Sequence, residues 1–462
     1  MRTAFVLDHP QVTALRALNY SREVERLRRI TAGRSSTRLG DVVQSFGKNY
    51  GKVFIRIDCQ PAHGVELLSQ SDMFAAEPDG RVVRKDSFPN AADHAITLGD
   101  ILIAGAGTLG ETELFGRSII ADRRLVGKYV GPHAIMLRMA DPTADFSLYA
   151  YAFLCTAVGI RAVRSASYGT KVLGLRSSML QCLPIPEPPT ATVARVAALI
   201  REAIECRERF AAELQQARRS IESLPEVAGA YAECSVREAR WGSYSPPFTT
   251  LNAWNYASIG NAATKLRRAW GAELGDVVAD DGIFGGPRFT RVPCEMPHGV
   301  EMLTQRDIFL VRSVPQRIVR PEIPARQLYP PAGALLLGGV GTLGEGEIFG
   351  RVVLATTNTA RRALTGDVLR IVPEEAHARL CYAFFSTLLG RRLLRSTAAG
   401  TKLLRMRPDL LRSLPIPSIS TARAAAVSQH VMAAVAARDA AELAETAAVD
   451  IVESEVLPAW LS

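Results

Sequence analysis

Lysine is scarce in this sequence: only seven of its 55 basic residues are lysines, and the rest are arginines. Aromatic residues make up 7%, and no run approaches the ~18 consecutive apolar residues that a membrane span requires. Cysteine is sparse and scattered. Cys59, Cys155, Cys182, Cys206, Cys234, Cys294 and Cys381 are odd in number and lack any Cys-x-x-Cys pair, which excludes a disulfide framework and a zinc site and leaves reduced thiols as the expectation. G-x-S-x-G, H-E-x-x-H and G-x-x-x-x-G-K-[ST] are all missing, so the enzyme classes built on those motifs are excluded. The apolar stretch near Met1 is broken at once by Asp8 and Pro10. No signal-peptide core forms, and the expected location is the cytoplasm, with no membrane partner.

The chain has 462 residues, 48% hydrophobic and 22% charged, which is ordinary globular content and enough for about three domains of ~150 residues. Its formal net charge is +9. The planar arginine fork suits phosphate and guanine edges, so nucleic acid is a natural partner. A coding bias toward arginine and alanine gives the same composition.

Self-similarity decides the architecture. Asn19-Tyr20 returns as Asn255-Tyr256, Leu39-Gly40-Asp41-Val42-Val43 as Leu274-Gly275-Asp276-Val277-Val278, and His63-Gly64-Val65-Glu66 as His298-Gly299-Val300-Glu301. Gly107-Thr108-Leu109-Gly110-Glu111 returns as Gly341-Thr342-Leu343-Gly344-Glu345, and Phe115-Gly116-Arg117 as Phe349-Gly350-Arg351. Gly169-Thr170-Lys171 matches Gly400-Thr401-Lys402, and Leu183-Pro184-Ile185-Pro186 matches Leu414-Pro415-Ile416-Pro417. The offset drifts only from 236 (255 − 19) to 231 (414 − 183). Each half is therefore a domain of about 180 residues, far longer than the repeat of a stacked array.

After each Leu-Pro-Ile-Pro the pattern becomes helical. Thr190 to Leu224 carries Val193, Val196, Ile200, Ile204, Leu214 and Ile221 on one stripe with no Gly or Pro between, and Ser420 to about Leu457 repeats the pattern with Val427, Val431, Val435, Leu443 and Val449. A helix of about 35 residues spans about 50 Å. The two helices are expected to bury their stripes against each other, antiparallel as in a coiled coil, with the two domains related by an approximate two-fold axis.

Three motifs invite a chemical reading. Gly105, Gly107 and Gly110, and again Gly339, Gly341 and Gly344, match G-x-G-x-x-G. Glu111 and Glu113, or Glu345 and Glu347, crowd the place of a phosphate, and Phe115 to Ile120 reads as another strand, so a strand, glycine turn, strand hairpin is expected instead of a dinucleotide loop. The turns Gly169-Thr170-Lys171 and Gly400-Thr401-Lys402 follow helical segments bearing Arg161 and Arg164, or Arg391, Arg392 and Arg395. Such a turn can hold phosphate oxygens, or it is a helix cap followed by a solvated lysine. His63 and His298 sit in repeated His-Gly-Val-Glu segments without a second histidine, and are read as a structural turn.

Two domains carrying Leu-Gly-Asp, then Gly-Thr-x-Gly after an apolar strand, then Leu-Pro-Ile-Pro before a long helix, resemble the specificity subunits of type I restriction-modification systems over nearly the whole chain. The resemblance implies an α+β chain: two tandem-repeated α/β target recognition domains, residues 1–188 and 227–417 (with a linker at 227–245), separated by two long antiparallel helices, 189–226 and 418–462, forming a coiled-coil spacer. It implies double-stranded DNA as ligand, read as a bipartite target, and two methyltransferase subunits as partners, with room for a restriction translocase subunit. S-adenosylmethionine belongs to the methyltransferase, and no cofactor or metal is expected in this chain. Phosphate or base contacts are expected from Thr170, Lys171, Arg161, Arg164, Arg176 and Arg117 in the first half, and Thr401, Lys402, Arg392, Arg395, Arg405 and Arg351 in the second. Ile200, Ile204, Val431 and Val435 are the expected partner-binding positions. The segments that diverge between the copies, Ala75–His94 and Leu310–Leu328, are the expected base-reading loops. The helices open with Pro-Pro-Thr-Ala-Thr and Ser-Ile-Ser-Thr-Ala instead of the family's Glu-Gln, so a related modification-based phage-defence system stays open as the setting.

No Asn/Asp-Pro-Pro-Tyr/Phe tetrapeptide of the amino-methyltransferase kind is present, so no catalysis by the chain itself is expected. Two rival classes remain: a non-enzymatic scaffold with two protein-binding domains, and a dinucleotide-binding enzyme with a βαβ core.

Overall fold

The computed structural model describes residue 25 and residues 36–47, 55–88, 91–234, 258–295, 297–344 and 346–461. Asn19-Tyr20, Asn255-Tyr256, most of the linker and Glu345 lie outside the described residues. The fold is mixed helix and strand, in two compact units: residues 1–208 with 440–462, and residues 209–439.

The first unit is built on a four-stranded antiparallel sheet in the order Val43–Phe46, Ala134–Met139, Ile101–Ala104, Ser118–Ile120. The run Ile101-Leu102-Ile103-Ala104 is buried on both faces, which is why it shows no alternation of apolar and polar residues. The helix Asp145–Cys155 is apolar all round, with every residue from Ser147 to Cys155 buried. Such a helix belongs in the middle of a core. Sheet residues Ile101, Ile103 and Leu137 join it in one cluster with Val193, Val196 and Ile200 of the long helix Thr190–Glu222, and with Ala448, Val449 and Val452 from the chain's last helical stretch.

The second unit repeats this order with Val278–Gly285, Val368–Pro373, Leu335–Gly338 and Val352–Leu354, and its corresponding helix, Glu375–Phe385, is buried from Leu380 to Phe385. Each unit adds a three-stranded sheet that mixes antiparallel and parallel pairing: Arg81–Arg84, Gly64–Leu68, Tyr129–Val130 in the first, and Gln316–Ile318, Val300–Leu303, Ala363–Leu364 in the second. The divergent segments 75–94 and 310–328 thus each contribute an edge strand, where the sequence reading had only loops.

Two distant motifs close each unit. The Leu39 backbone N–H donates to the Leu183 carbonyl at 2.8 Å, and Leu274 N–H donates to Leu414 O at 2.8 Å. Leu-Gly-Asp and Leu-Pro-Ile-Pro are therefore the two ends of one domain, joined.

The second long helix runs Thr421–Ile451, passes through a π-helical turn at Val452–Val456 and ends as Leu457–Leu461. In the first unit the ion pairs Arg195–Glu455, at 3.0 Å, and Arg207–Glu445 set the two long helices antiparallel. In the second unit Glu213 meets His430 at 2.6 Å, and Arg438 lies over the Phe210 ring at 5.9 Å, in the same sense. Both unit boundaries fall inside these helices. In the first unit the apolar stripe of both helices, Val193, Val196 and Ile200 with Ala448, Val449 and Val452, completes the core.

Cys59, Cys155, Cys182, Cys206, Cys294 and Cys381 are free. Among the described residues no single helix is long and apolar enough to cross a membrane.

Candidate nucleic-acid interface

The glycine-rich segments do not form dinucleotide loops. Ile101–Ala104 pairs antiparallel with Ser118–Ile120, and residues 111–117 contain no helix that could receive a pyrophosphate. Leu335–Gly338 pairs with Val352–Leu354 in the same way. The hairpin expected from the crowding glutamates is what forms.

Each glycine loop leads into a small sheet. In the first unit its strands are Ser167–Tyr168, Leu173–Leu175 and Ala106–Gly107; in the second, Ala398–Ala399, Leu404–Met406 and Val340–Gly341. The outer turn is Gly169-Thr170-Lys171 or Gly400-Thr401-Lys402, with φ of +98° at Gly169 and +122° at Gly400. A Cβ at Gly169 would meet the Val172 carbonyl at 2.6 Å, so the turn accepts only glycine. Thr170, Lys171, Thr401 and Lys402 are exposed at these turns. The same surfaces carry aliphatic side chains in water: Val172 is 63% exposed, Leu109 49%, Leu403 56% and Leu343 37%. The sequence reading missed these four. Their signal was an aliphatic residue inside each repeated turn motif, where a polar one would be expected.

Four arginines expected at phosphates do other work. Arg164 donates from Nε to the Phe115 carbonyl at 2.8 Å and from Nη2 to Gly110 O at 3.0 Å and Glu113 O at 3.1 Å. Arg395 repeats this on Phe349 O at 2.8 Å, Gly344 O at 2.9 Å and Glu347 O at 3.1 Å. Burial lowers the Arg164 pKa, with Arg161 nearby acting in the same direction. Gly116 and Gly350, at φ +78° and +77°, make room for these side chains: a Cβ there would strike the arginine Cγ at 2.7 and 2.6 Å. Arg117 folds onto the Glu113 carbonyl at 3.1 Å and the Glu111 carbonyl at 2.5 Å, and Arg351 points to Glu347 O at 3.4 Å. Arg164 and Arg395 thus fasten the glycine loop with their forks, and Arg117 and Arg351 lie against carbonyls of the same loop.

The other expected contacts remain on the surface. Arg161 is exposed and Arg392 half-buried. The guanidinium of Arg176 sits over the Tyr168 ring at 5.4 Å, and Arg405 is half-exposed, 3.9 Å from the Asp367 carboxylate. The expected partner positions are internal. Ile200 and Val431 have no exposed surface, and Ile204 and Val435 are partly buried. They pack inside the chain, where no partner reaches Ile200 or Val431 without opening the fold.

The His-Gly-Val-Glu segments are structural in both units. Gly299 has φ +79°, and a Cβ there would lie 2.2 Å from the Cys294 sulfur. Lys128 Nζ binds Glu66 at 2.7 Å and Arg362 Nε binds Glu301 at 3.0 Å, tying each segment to its sheet. Cys59 and Cys294 recur at the same spacing before the histidine, a repeat the sequence reading passed over. Among the described residues no group of three or more His, Cys, Asp and Glu side chains could hold a metal ion.

No family model matches the chain, and no curated protein does. Solved structures do. The S subunit of a type I restriction-modification system from M. genitalium is 12% identical, with 92% of this chain and 94% of that one covered and a TM-score of 0.32. The HsdS subunit from Thermoanaerobacter tengcongensis is 14% identical over 91% and 95%, with a TM-score of 0.27. A chain from a study of complex assembly and conformational transition in the type I R-M system is 14% identical over 92% and 97%, at 0.26. This chain is similar to type I restriction-modification S subunits.

Proposed function

We propose that this chain is a DNA-recognition subunit of a type I restriction-modification complex, or of a related modification-based defence system, that acts without catalytic residues of its own. Two target recognition domains read the halves of a bipartite duplex target, and the two long helices form the coiled-coil spacer on which two methyltransferase subunits dock, each bringing S-adenosylmethionine. The observation that carries this reading is the recurrence, in both units, of an exposed Thr-Lys turn beside a glycine loop whose carbonyls an arginine fork ties down. A rigid loop can be placed in a groove without losing much entropy on binding, and a lysine on an exposed turn can anchor it to a phosphate. Arginine and lysine excess over the chain favours the same ligand.

The test is methylome sequencing of host DNA with and without the gene, paired with a footprint of the purified complex. Two short recognised sequences with an unread gap between them support the proposal. One continuous recognised sequence, or methyl transfer from S-adenosylmethionine by the chain alone, rules it out.

A further inference from the structure

The two outer hairpins share a register and differ in chemistry. In the first unit Tyr168 stands opposite Gly174, and its ring occupies the space of the missing side chain: a Cβ at position 174 would meet the ring at 2.9 Å. In the second unit Ala399 stands opposite Arg405. The large residue has changed strands, so the first unit presents an aromatic ring, 42% exposed, where the second presents a methyl group.

Beside that ring lies an open cleft of about 640 Å³, lined by Phe46, Tyr168, Arg176, Ser177, Ser178 and Gln181. The Arg176 guanidinium covers the Tyr168 ring at 5.4 Å. The Ser177 hydroxyl is shielded from solvent and has no hydrogen-bond partner. A cation and an unsatisfied hydroxyl suit phosphate oxygens, and the aromatic face suits the flat or apolar side of a nucleotide.

The second unit cancels this chemistry. Arg407 stands where the first unit has Arg176, and Asp409 where it has Ser178. Arg407 donates to both carboxylate oxygens of Asp409, with Nε at 3.0 Å. That hydrogen bonding holds the Asp409 carboxyl below the usual carboxylate range. The charge is neutralised in place, and an approaching phosphate meets a carboxylate.

From these differences we infer that the cleft between Tyr168 and Arg176 binds one sugar-phosphate step of nucleic acid, and that the equivalent place in the second unit binds none. The inference rests on the DNA-recognition reading, and the experiment separates the two. Fluorescence anisotropy of the full-length chain on a labelled duplex is recorded over a range of NaCl concentrations, with circular dichroism to confirm that each variant is folded. Arg176→Ala is expected to bind about tenfold more weakly at low salt, with the slope of log K against log[NaCl] shallower by about 0.9, the signature of one lost phosphate contact. Tyr168→Ala weakens binding with little change in slope, Arg407→Ala leaves both within error, and Asp409→Ser tightens binding and steepens the slope. Inorganic phosphate replacing chloride at matched ionic strength is expected to weaken wild type more than Arg176→Ala, because it competes for the same cleft; weakening of Arg176→Ala beyond wild type overturns the inference. It is also overturned if wild type binds duplex and Arg176→Ala binds it identically, or if Arg407→Ala loses as much as Arg176→Ala. A wild-type chain that binds no duplex overturns the DNA-recognition reading itself.

Discussion

Arg207 and Glu445 form an ion pair inside the first unit with side chains only 3% and 2% exposed, and the Tyr151 hydroxyl donates to the second carboxylate oxygen. Burial acts against the Arg207 charge, and Glu445, Tyr151 and Asp122 together outweigh it, raising the arginine pKa above its ordinary value. Burial, helped by the nearby Glu445, likewise raises the Tyr151 hydroxyl well above the ordinary tyrosine value. Nε and Nη1 of Arg207 have no hydrogen-bond partner. A pair that leaves donors unsatisfied is weak evidence of stabilisation, yet it fixes the register in which the two long helices meet within this unit. Glu445→Leu is expected to cost about 3–5 kcal/mol by leaving a buried cation alone, whereas the double change Arg207→Met with Glu445→Leu is expected to be near neutral or stabilising. Urea unfolding of the single and double variants decides this; equal losses in both would show that the pair holds the helices by its own energy.

The loop clamp predicts a local effect. Arg395→Ala removes a fork that satisfies the Phe349, Gly344 and Glu347 carbonyls, at a cost of about 1–3 kcal/mol. Arg395→Lys is expected to rescue little, because one ammonium cannot reproduce the planar fork. Hydrogen exchange should speed up in residues 339–351 and stay unchanged in the Val368–Pro373 strand. Uniform acceleration across the unit would show that the arginine supports the whole core.

These arginines also show what could be read from sequence. The repeated Phe-Gly-Arg and Gly-Thr-Lys motifs located the loop and the turn correctly, since a positive φ leaves glycine at a fixed place. An arginine eight residues before a Gly-Thr-Lys motif, or five residues before one, looks the same in sequence whether its fork meets solvent or the carbonyls of a distant loop. The clue lay in Gly116 and Gly350, whose missing side chains make space for Arg164 and Arg395. Ile200 and Val431 were legible as an apolar stripe. Their assignment to a partner was not, because a stripe shows that a face is covered and is silent on what covers it. The join of Leu39 to Leu183 links residues too far apart in sequence for any local pattern to reveal.

Cys381 gives a pH-dependent test. Burial pushes its thiol from 9.0 up to about 12. Between those values the unfolded chain releases a proton that the folded chain keeps. The contribution of this site to stability is therefore fully present below pH ~9 and is lost as pH rises toward ~12. At pH 8, a thiol reagent should label the exposed Cys182 quickly and Cys381 only at the rate at which the second unit opens. Peptide mapping that finds both labelled at one rate would contradict the burial.

Lys171 and Lys402 test whether the turns hold DNA by charge alone. Both sit exposed on glycine turns that recur in the two units, and a lysine at a phosphate is a point charge without base information. Lys171→Ala and Lys402→Ala are each expected to weaken binding to specific and nonspecific duplexes by the same factor and to reduce the salt slope by about 0.9. The double variant should lose about twice the slope, because contacts in separate units share no partners and add. The exposed aliphatic neighbours act differently. Val172→Ser and Leu403→Ser remove no charge, so any loss should appear at every salt concentration without changing the slope. Salt titrations of the four variants separate the two contributions, and a Lys402→Ala variant that discriminates between duplex sequences would show that this turn reads a base edge.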